Sequence, residues 1–256
     1  MKSWTRFLGF TFPLDHDQGR ICICKKDLVT QPSIVESIRS LPPNWHAKGS
    51  LNLAVIDRIF QCADGARDTA ETGCGKSTLA LSHASRRHVV FACDVPPGEN
   101  PEAHSLNKVR NSALLKEGVC EFVIGSTQQT LPVFRFDRDF GLVLLDGPHG
   151  YPFPDLEYYY FYPHIKTGGW LVVDDIHIPS VAIMMDVLKD DAMFSPERVV
   201  RTTAFSRRTD APLFPPLADG WWGQGYNKRH RVAIRHDGLS SAPRVIASEL
   251  LGRFSK

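Results

Sequence analysis

The chain has 256 residues, 43% hydrophobic and 23% charged, an ordinary balance for one large soluble domain with a full core. A net charge of +2 excludes a strong electrostatic case for nucleic acid or a membrane surface, and no apolar run reaches the ~18 residues of a membrane span. The N-terminus lacks an apolar signal core. The six cysteines (Cys22, Cys24, Cys62, Cys74, Cys93, Cys120) contain no C-x-x-C pair, so free thiols and a cytoplasmic location are expected.

Residues 1–50 read as an N-terminal extension or lid, and 51–256 as the main domain. Within the extension, Ile21–Cys24 suggests a short strand. Ile34, Ile38 and Leu41 share one face of a short helix that Pro42-Pro43 ends. Leu53, Ile56 and Ile59-Phe60 have helical spacing over 51–63. A strand ending near Glu71, a tight glycine turn and a helix from Lys76 to Arg87 follow. His88–Asp94 is a continuous apolar run ending in an acid, the pattern of a buried parallel strand. Pro101–Glu117 has helical spacing, and Glu121–Ser126 is the next strand. Phe140–Leu145 runs into Asp146-Gly147-Pro148-His149, and an aromatic helix covers Asp155–Tyr162. Lys166–Gly169 reads as a helix stop, Trp170–Asp175 as a strand ending in paired acids, and Ile178–Asp190 as a helix. Val199–Ala204 and Arg231–Arg235 are expected as a final antiparallel pair. The Pro/Gly/Trp-rich loop 212–228 between them is long enough to suggest a lid or contact surface. Trp221-Trp222 in it could stack on an acceptor or anchor the loop. Alternating strands and helices with acids at the strand ends predict an α/β, doubly wound, mostly parallel sheet, whose ligands bind at the carboxyl ends of the strands.

The stretch Glu71-Thr72-Gly73-Cys74-Gly75-Lys76-Ser77-Thr78 is the centre of the reading. A glycine turn lets a ligand approach the backbone, and the helix start offers unpaired N–H groups, with Ser77 and Thr78 as added donors. Three ligands compete for it. Ala70–Ser77 approximates a nucleotide phosphate loop but has Ala70 where the first glycine belongs. A dinucleotide fingerprint would need its third glycine at Thr78. Glu71-x-Gly73-x-Gly75 resembles the E/D-x-G-x-G motif of class I S-adenosylmethionine-dependent methyltransferases. Asp94, 19 residues past Gly75, is placed where a ribose-binding acid belongs, and Ser126 ends the strand expected beside the adenine.

The run Leu145-Asp146-Gly147-Pro148-His149-Gly150-Tyr151, then Gly168-Gly169 and Asp174-Asp175, resembles bacterial small-molecule O-methyltransferases that act on sugars and natural products. The likeness covers roughly residues 50–190. It implies a seven-stranded sheet with an antiparallel last strand, and methyl transfer from S-adenosylmethionine to a hydroxyl of a small metabolite. It also implies cofactor contacts from Glu71, Thr72, Gly73, Gly75, Ser77, Thr78, Asp94, Ser126 and Asp146. In metal-dependent relatives, acids at the positions of Asp146, Asp174 and Asp175 hold a divalent ion, so an optional Mg²⁺ is expected there. The sugar enzymes carry an acid where this chain has Pro148. His149 is the natural substitute as general base, with His177 as second choice. Two alternatives stay open: a nucleotide-binding module, and a methyltransferase fold without catalysis. The expected partner is a small acceptor, without nucleic acid or membrane, and the chain is compatible with a homo-oligomer.

Overall fold

A computed structural model of the chain describes backbone strands at Trp4–Phe7 and Phe10–Pro13, and residues 33–42, 45, 49–213 and 224–229. Two compact units result, Met1–Pro32 and Ser33–Lys256. In the first, β1 (Trp4–Phe7) and β2 (Phe10–Pro13) pair antiparallel, Phe7 opposite Phe10.

The second unit begins with α1 (Ile34–Arg39) and α2 (Leu53–Ala63). The Asn52 side chain caps α2, accepting the Ala54 N–H at 2.9 Å. Val55, Ile56, Ile59, Cys62 and Ala63 bury one helical stripe. Then alternate β3 (Asp68–Thr72), α3 (Lys76–Ala84), β4 (Arg87–Ala92), α4 (Ser105–Arg110), β5 (Cys120–Ile124) and α5 (Thr127–Thr130). The second half holds β6 (Phe140–Leu145), α6 (Phe153–Phe161), β7 (Ile165–Val173), α7 (Pro179–Leu188), β8 (Phe194–Val200), β9 (Thr203–Arg208) and α8 (Gly225–Arg229).

The seven strands stand in the order β5-β4-β3-β6-β7-β9-β8. The first five are parallel, and β9 runs antiparallel to both β7 and β8. Side chains alternate across the sheet, so Leu142 and Leu144 join Val55, Ile59 and Leu81 in one core. Val143 and Leu145 join Phe161, Val181 and Met184 in the other. All four β6 leucines and valines are at most 4% exposed, so truncating one to alanine should cost about 2–5 kcal/mol. Strand order reverses between β3 and β6, where Thr72 is paired with Leu145, so the next residues, Gly73 and Asp146, lie side by side at the switch point.

Three expectations change. The last two strands are Phe194–Val200 and Thr203–Arg208, a hairpin turning at Arg201-Thr202, where Val199–Ala204 had been expected as a single strand. Among the described residues the sheet's last strand ends at Arg208; Arg231–Arg235, Trp221-Trp222 and Ile21–Cys24 lie outside the described residues. Lys166–Gly169 is the exposed first part of β7 and not a helix stop. The helix expected over Pro101–Glu117 is reduced to Ser105–Arg110.

Candidate active site

The loop after β3 is three residues long, Gly73 to Gly75, between Thr72 and the first residue of α3. Ala70, Glu71 and Thr72 are buried in the strand. Three residues are too few to wrap a triphosphate as an eight-residue phosphate loop does, which disfavours the nucleotide phosphate-loop reading. Gly73 has φ +90°, and a Cβ there would stand 2.4 Å from the Asp146 carbonyl oxygen, so only glycine fits. Its N–H donates to the Phe91 carbonyl at 2.9 Å.

The polar side chains of this segment turn inward. Thr78, fully buried, donates its hydroxyl proton to Glu71 Oε1 and accepts the Gly75 N–H at 3.0 Å. Glu71 Oε1 also meets His88 Nε2 at 3.2 Å, and His88 Nδ1 meets Thr69 Oγ1 at 2.9 Å. Glu71 Oε2 is buried without a protein partner. Thr72 donates to Glu157 Oε2 at 2.7 Å and accepts the Asp146 N–H at 3.1 Å. The hydroxyl of Thr78, expected as a ligand donor, and that of Thr72, expected among the cofactor contacts, are thus engaged inside the protein. Ser77, though only 3% exposed, lines a cavity.

The turns after β6 and β7 do the opposite. His149 Nε2 stands 3.8 Å from Asp146 Oδ1 and 3.3 Å from Asp175 Oδ2. His177 Nδ1 is 3.6 Å from Asp175 Oδ1 on a largely exposed ring. The Ser180 hydroxyl donates to the His149 carbonyl, anchoring that turn to α7. Asp175 adopts φ 53°, a left-handed conformation that aspartate tolerates better than most residues. Burial pushes the Asp146 carboxyl up to about 6, with His149 opposing and Asp174 and Glu71 adding to the rise. Contact with Asp146 raises His149 above the ordinary imidazole value against its partial burial, and Asp175 helps. Glu157, beneath the turn, is pushed by burial up to about 7, with the Thr72 hydrogen bond opposing.

Asp146, Asp174 and Asp175 share one cavity wall but do not converge. Asp174 Oδ1 accepts from Thr203 and, at 3.4 Å, from Thr202, and Asp175 faces the two histidines. Among the described residues no three His, Cys, Asp or Glu side chains are arranged to hold a metal ion. The triad as it stands does not fit Mg²⁺.

Two cavities meet at the wall made by Cys74 and Asp146. One, of 520 Å³, is lined by Ser50 to Asn52 before α2, Gly75 to Ser77, Asp146, His149, Asp174, Asp175 and the hairpin threonines Thr202 and Thr203. The other, of 230 Å³, is lined by Gly73, Phe91 to Cys93, His104 to Leu106, Thr127 and Asp146 to Pro148. Asp94 lies one residue past this second wall, exposed, its Oδ1 accepting the Val95 N–H at 2.8 Å. Ser126 is the N-cap position of α5 and its neighbour Thr127 lines the wall instead. Cys74, Lys76, His104 and Thr127 line these cavities and were missed as site residues. Only Cys74 and Lys76 carried a signal, their place inside the glycine motif. The others arrive from loops and helices whose contact with the site is set by tertiary packing.

Residues 70–176 match the family described as Methyltransferase domain. No curated protein matches the chain. Among solved structures, cofactor-bound Rv0187 from MTB is 17% identical with a TM-score of 0.53, over 72% of this chain and 94% of its own. The O-methyltransferase TomG from Streptomyces achromogenes, solved with S-adenosylmethionine, is 16% identical with a TM-score of 0.51, over 71% and 92%. Methyltransferase PaMTH1 from Podospora anserina, bound to S-adenosylhomocysteine, is 17% identical with a TM-score of 0.51, over 70% and 89%. At these identities the likeness establishes a shared fold.

Proposed function

We propose that this class I methyltransferase transfers the methyl group of S-adenosylmethionine to a hydroxyl oxygen of a small metabolite, a sugar or natural product. The observation that carries the reading is His149, which lines the larger cavity beside the glycine loop with Asp146 and Asp175 at ion-pair distance from its Nε2. The cofactor supplies a methyl group already activated on a sulfonium, so the protein must bind, align and deprotonate. The smaller, largely apolar cavity suits the adenosine half, with Asp94 within reach of the ribose hydroxyls and Ser126-Thr127 toward the base. The Gly73–Gly75 backbone and Ser77 suit the methionine half. Glu71 Oε2, buried and without a partner, is an acceptor suited to an ammonium group.

The larger cavity takes the acceptor. A neutral His149 ring that keeps its proton on Nε2, toward the two carboxylates at 3.3 and 3.8 Å, would leave its lone pair on Nδ1. When bound, the cofactor would give its methyl group to the hydroxyl oxygen and leave as the thioether, and His149 Nδ1 would take the hydroxyl proton. Asp146 and Asp175 then stabilise the imidazolium. His177, on the far side of Asp175, is a second-choice base.

The test has two stages. Differential scanning with S-adenosylmethionine, S-adenosylhomocysteine, ATP, GTP and NAD should raise the melting temperature for the first two alone. Turnover against a panel of sugars, phenols and hydroxylated natural products should then give a product with one added O-methyl group. Stabilisation by ATP without stabilisation by S-adenosylmethionine would sink the cofactor reading. A methyl found on nitrogen or carbon would sink the acceptor reading.

A further inference from the structure

Glu157 has no part in the reading above. It lies on α6, 1% exposed, facing the underside of the turn that follows β6. Its Oε2 accepts the Thr72 hydroxyl proton at 2.7 Å, and the same Thr72 oxygen accepts the Asp146 N–H at 3.1 Å. A hydroxyl has one proton to give, and Glu157 takes it, so a Thr72 lone pair stays aimed at Asp146. The carboxyl also occupies the space of a side chain at the next residue. A Cβ on Gly147 would stand 2.1 Å from Glu157 Oε1. From the other side, Gly73 leaves no room for a Cβ beside the Asp146 carbonyl. The Asp146-Gly147 backbone is therefore gripped by the end of β3 and by α6 together. Glu157 Oε1 is buried without a protein partner, beside a void of 10 Å³ that Gly147, Pro148, His149 and Asp174 also line. A leucine at this position would fill similar volume without the cost of burying a carboxyl. It would also leave the Thr72 proton free to turn.

We propose that Glu157 is a positioning residue which, through Thr72 and Gly147, fixes the Asp146–Pro148 wall that the cofactor meets. The wall belongs to the cavity assigned to the adenosine half, so the inference rests on that part of the proposed function. Glu157 touches neither cofactor nor acceptor. Its removal leaves the cavity lined by the same atoms but lets the turn relax, and affinity falls because the wall is no longer held to the geometry that binding needs.

The test uses the full chain, with S-adenosylhomocysteine as probe, calorimetric Kd and melting temperature as readouts, and no need for an acceptor. Thr72→Val keeps the volume and removes the hydroxyl. It should weaken binding by about tenfold or more, and Thr72→Ser should restore it. Glu157→Ala should weaken binding similarly, and Glu157→Gln, whose amide oxygen can accept the Thr72 proton, should recover most of it. Rescue by serine at an unchanged melting temperature, and by glutamine with an affinity that does not follow that variant's own gain in stability, separates positioning from mere stability. If Glu157→Ala does not fold, the Thr72 pair decides alone. Wild-type Kd in Thr72→Val overturns the inference, as does Glu157→Gln binding no better than a folded Glu157→Ala. A wild-type chain that does not bind the probe defeats the cofactor reading and this inference with it. Tight wild-type binding with indifferent variants defeats this inference alone.

Discussion

The two turns that flank the switch point use the same kinds of residue in opposite ways. After β3, Glu71, Thr72 and Thr78 point into the protein and satisfy one another and their neighbours. What they leave for a ligand is shaped backbone and one unpaired carboxylate oxygen, Glu71 Oε2. After β6 and β7, Asp146, His149, Asp175 and His177 point toward the larger cavity or solvent and pair among themselves at 3.3–3.8 Å. The first region recognises by form. The second holds acid and base side chains within ion-pair distance of one another, the arrangement that proton transfer requires. Mutations in the two regions should therefore fail differently.

The largest effect belongs to the second region. His149→Ala should lower turnover by ~10²–10⁴-fold while leaving S-adenosylmethionine affinity intact, as measured by steady-state kinetics beside calorimetry. The base must be neutral to act, and His149 is held above its ordinary value of 6.5, so wild-type activity should rise with pH through a midpoint above that value. Asp175→Asn should move the midpoint down. Normal turnover in His149→Ala with a dead His177→Ala would transfer the role to His177.

Next comes the group beneath both regions. The folded Glu157 carboxyl titrates near 7, against 4.5 ordinarily. The unfolded chain ionises first as pH rises, and ionisation favours it, so wild type loses stability from about 4.5 through about 7. Glu157→Gln lacks this loss. Its urea midpoint should gain on wild type across that window, by roughly 2–3 kcal/mol at the top. A difference that stays flat with pH would mean the carboxyl is already ionised in the folded state.

A break in the first region should be structural. Gly73→Ala places a side chain at φ +90° against the Asp146 carbonyl and should cost about 1–3 kcal/mol of stability by chemical denaturation. Cofactor affinity should fall with it. An alanine variant of native stability and affinity would show that the loop is not held by form.

These contrasts also mark what could be read in advance. Val89–Ala92, Leu142–Leu145 and Trp170–Val173 are apolar runs, and the fold follows from them because a strand covered on both faces needs no polar alternation. β8 escaped because Phe-Ser-Pro-Glu-Arg-Val-Val is an edge strand, mostly exposed, with a proline and two charges and no apolar period. Asp146, His149 and Asp175 were legible as strand-end residues. The inward turn of Thr72 was not, because its partner Glu157 lies 85 residues away and only the packed α6 brings it there.

The smallest expected effect is none. Because Asp174 is occupied by two threonines and Asp175 by two histidines, turnover should survive exhaustive chelation. Activity that disappears with chelator and returns with Mg²⁺ would mean the carboxylates regroup when acceptor and cofactor are bound.

The hairpin that completes the sheet enters the larger cavity only at its tip. Val200 pairs with Thr203 across Arg201-Thr202, and Arg201 takes φ 57°. The Thr202 carbonyl receives the Ile176 N–H at 2.9 Å. Everything behind the tip is ladder, and everything the cofactor is assigned belongs to other strands. A lineage could therefore exchange these few residues for others of equal length and inherit a new acceptor preference, with the methyl-donor half of the enzyme carried along unaltered.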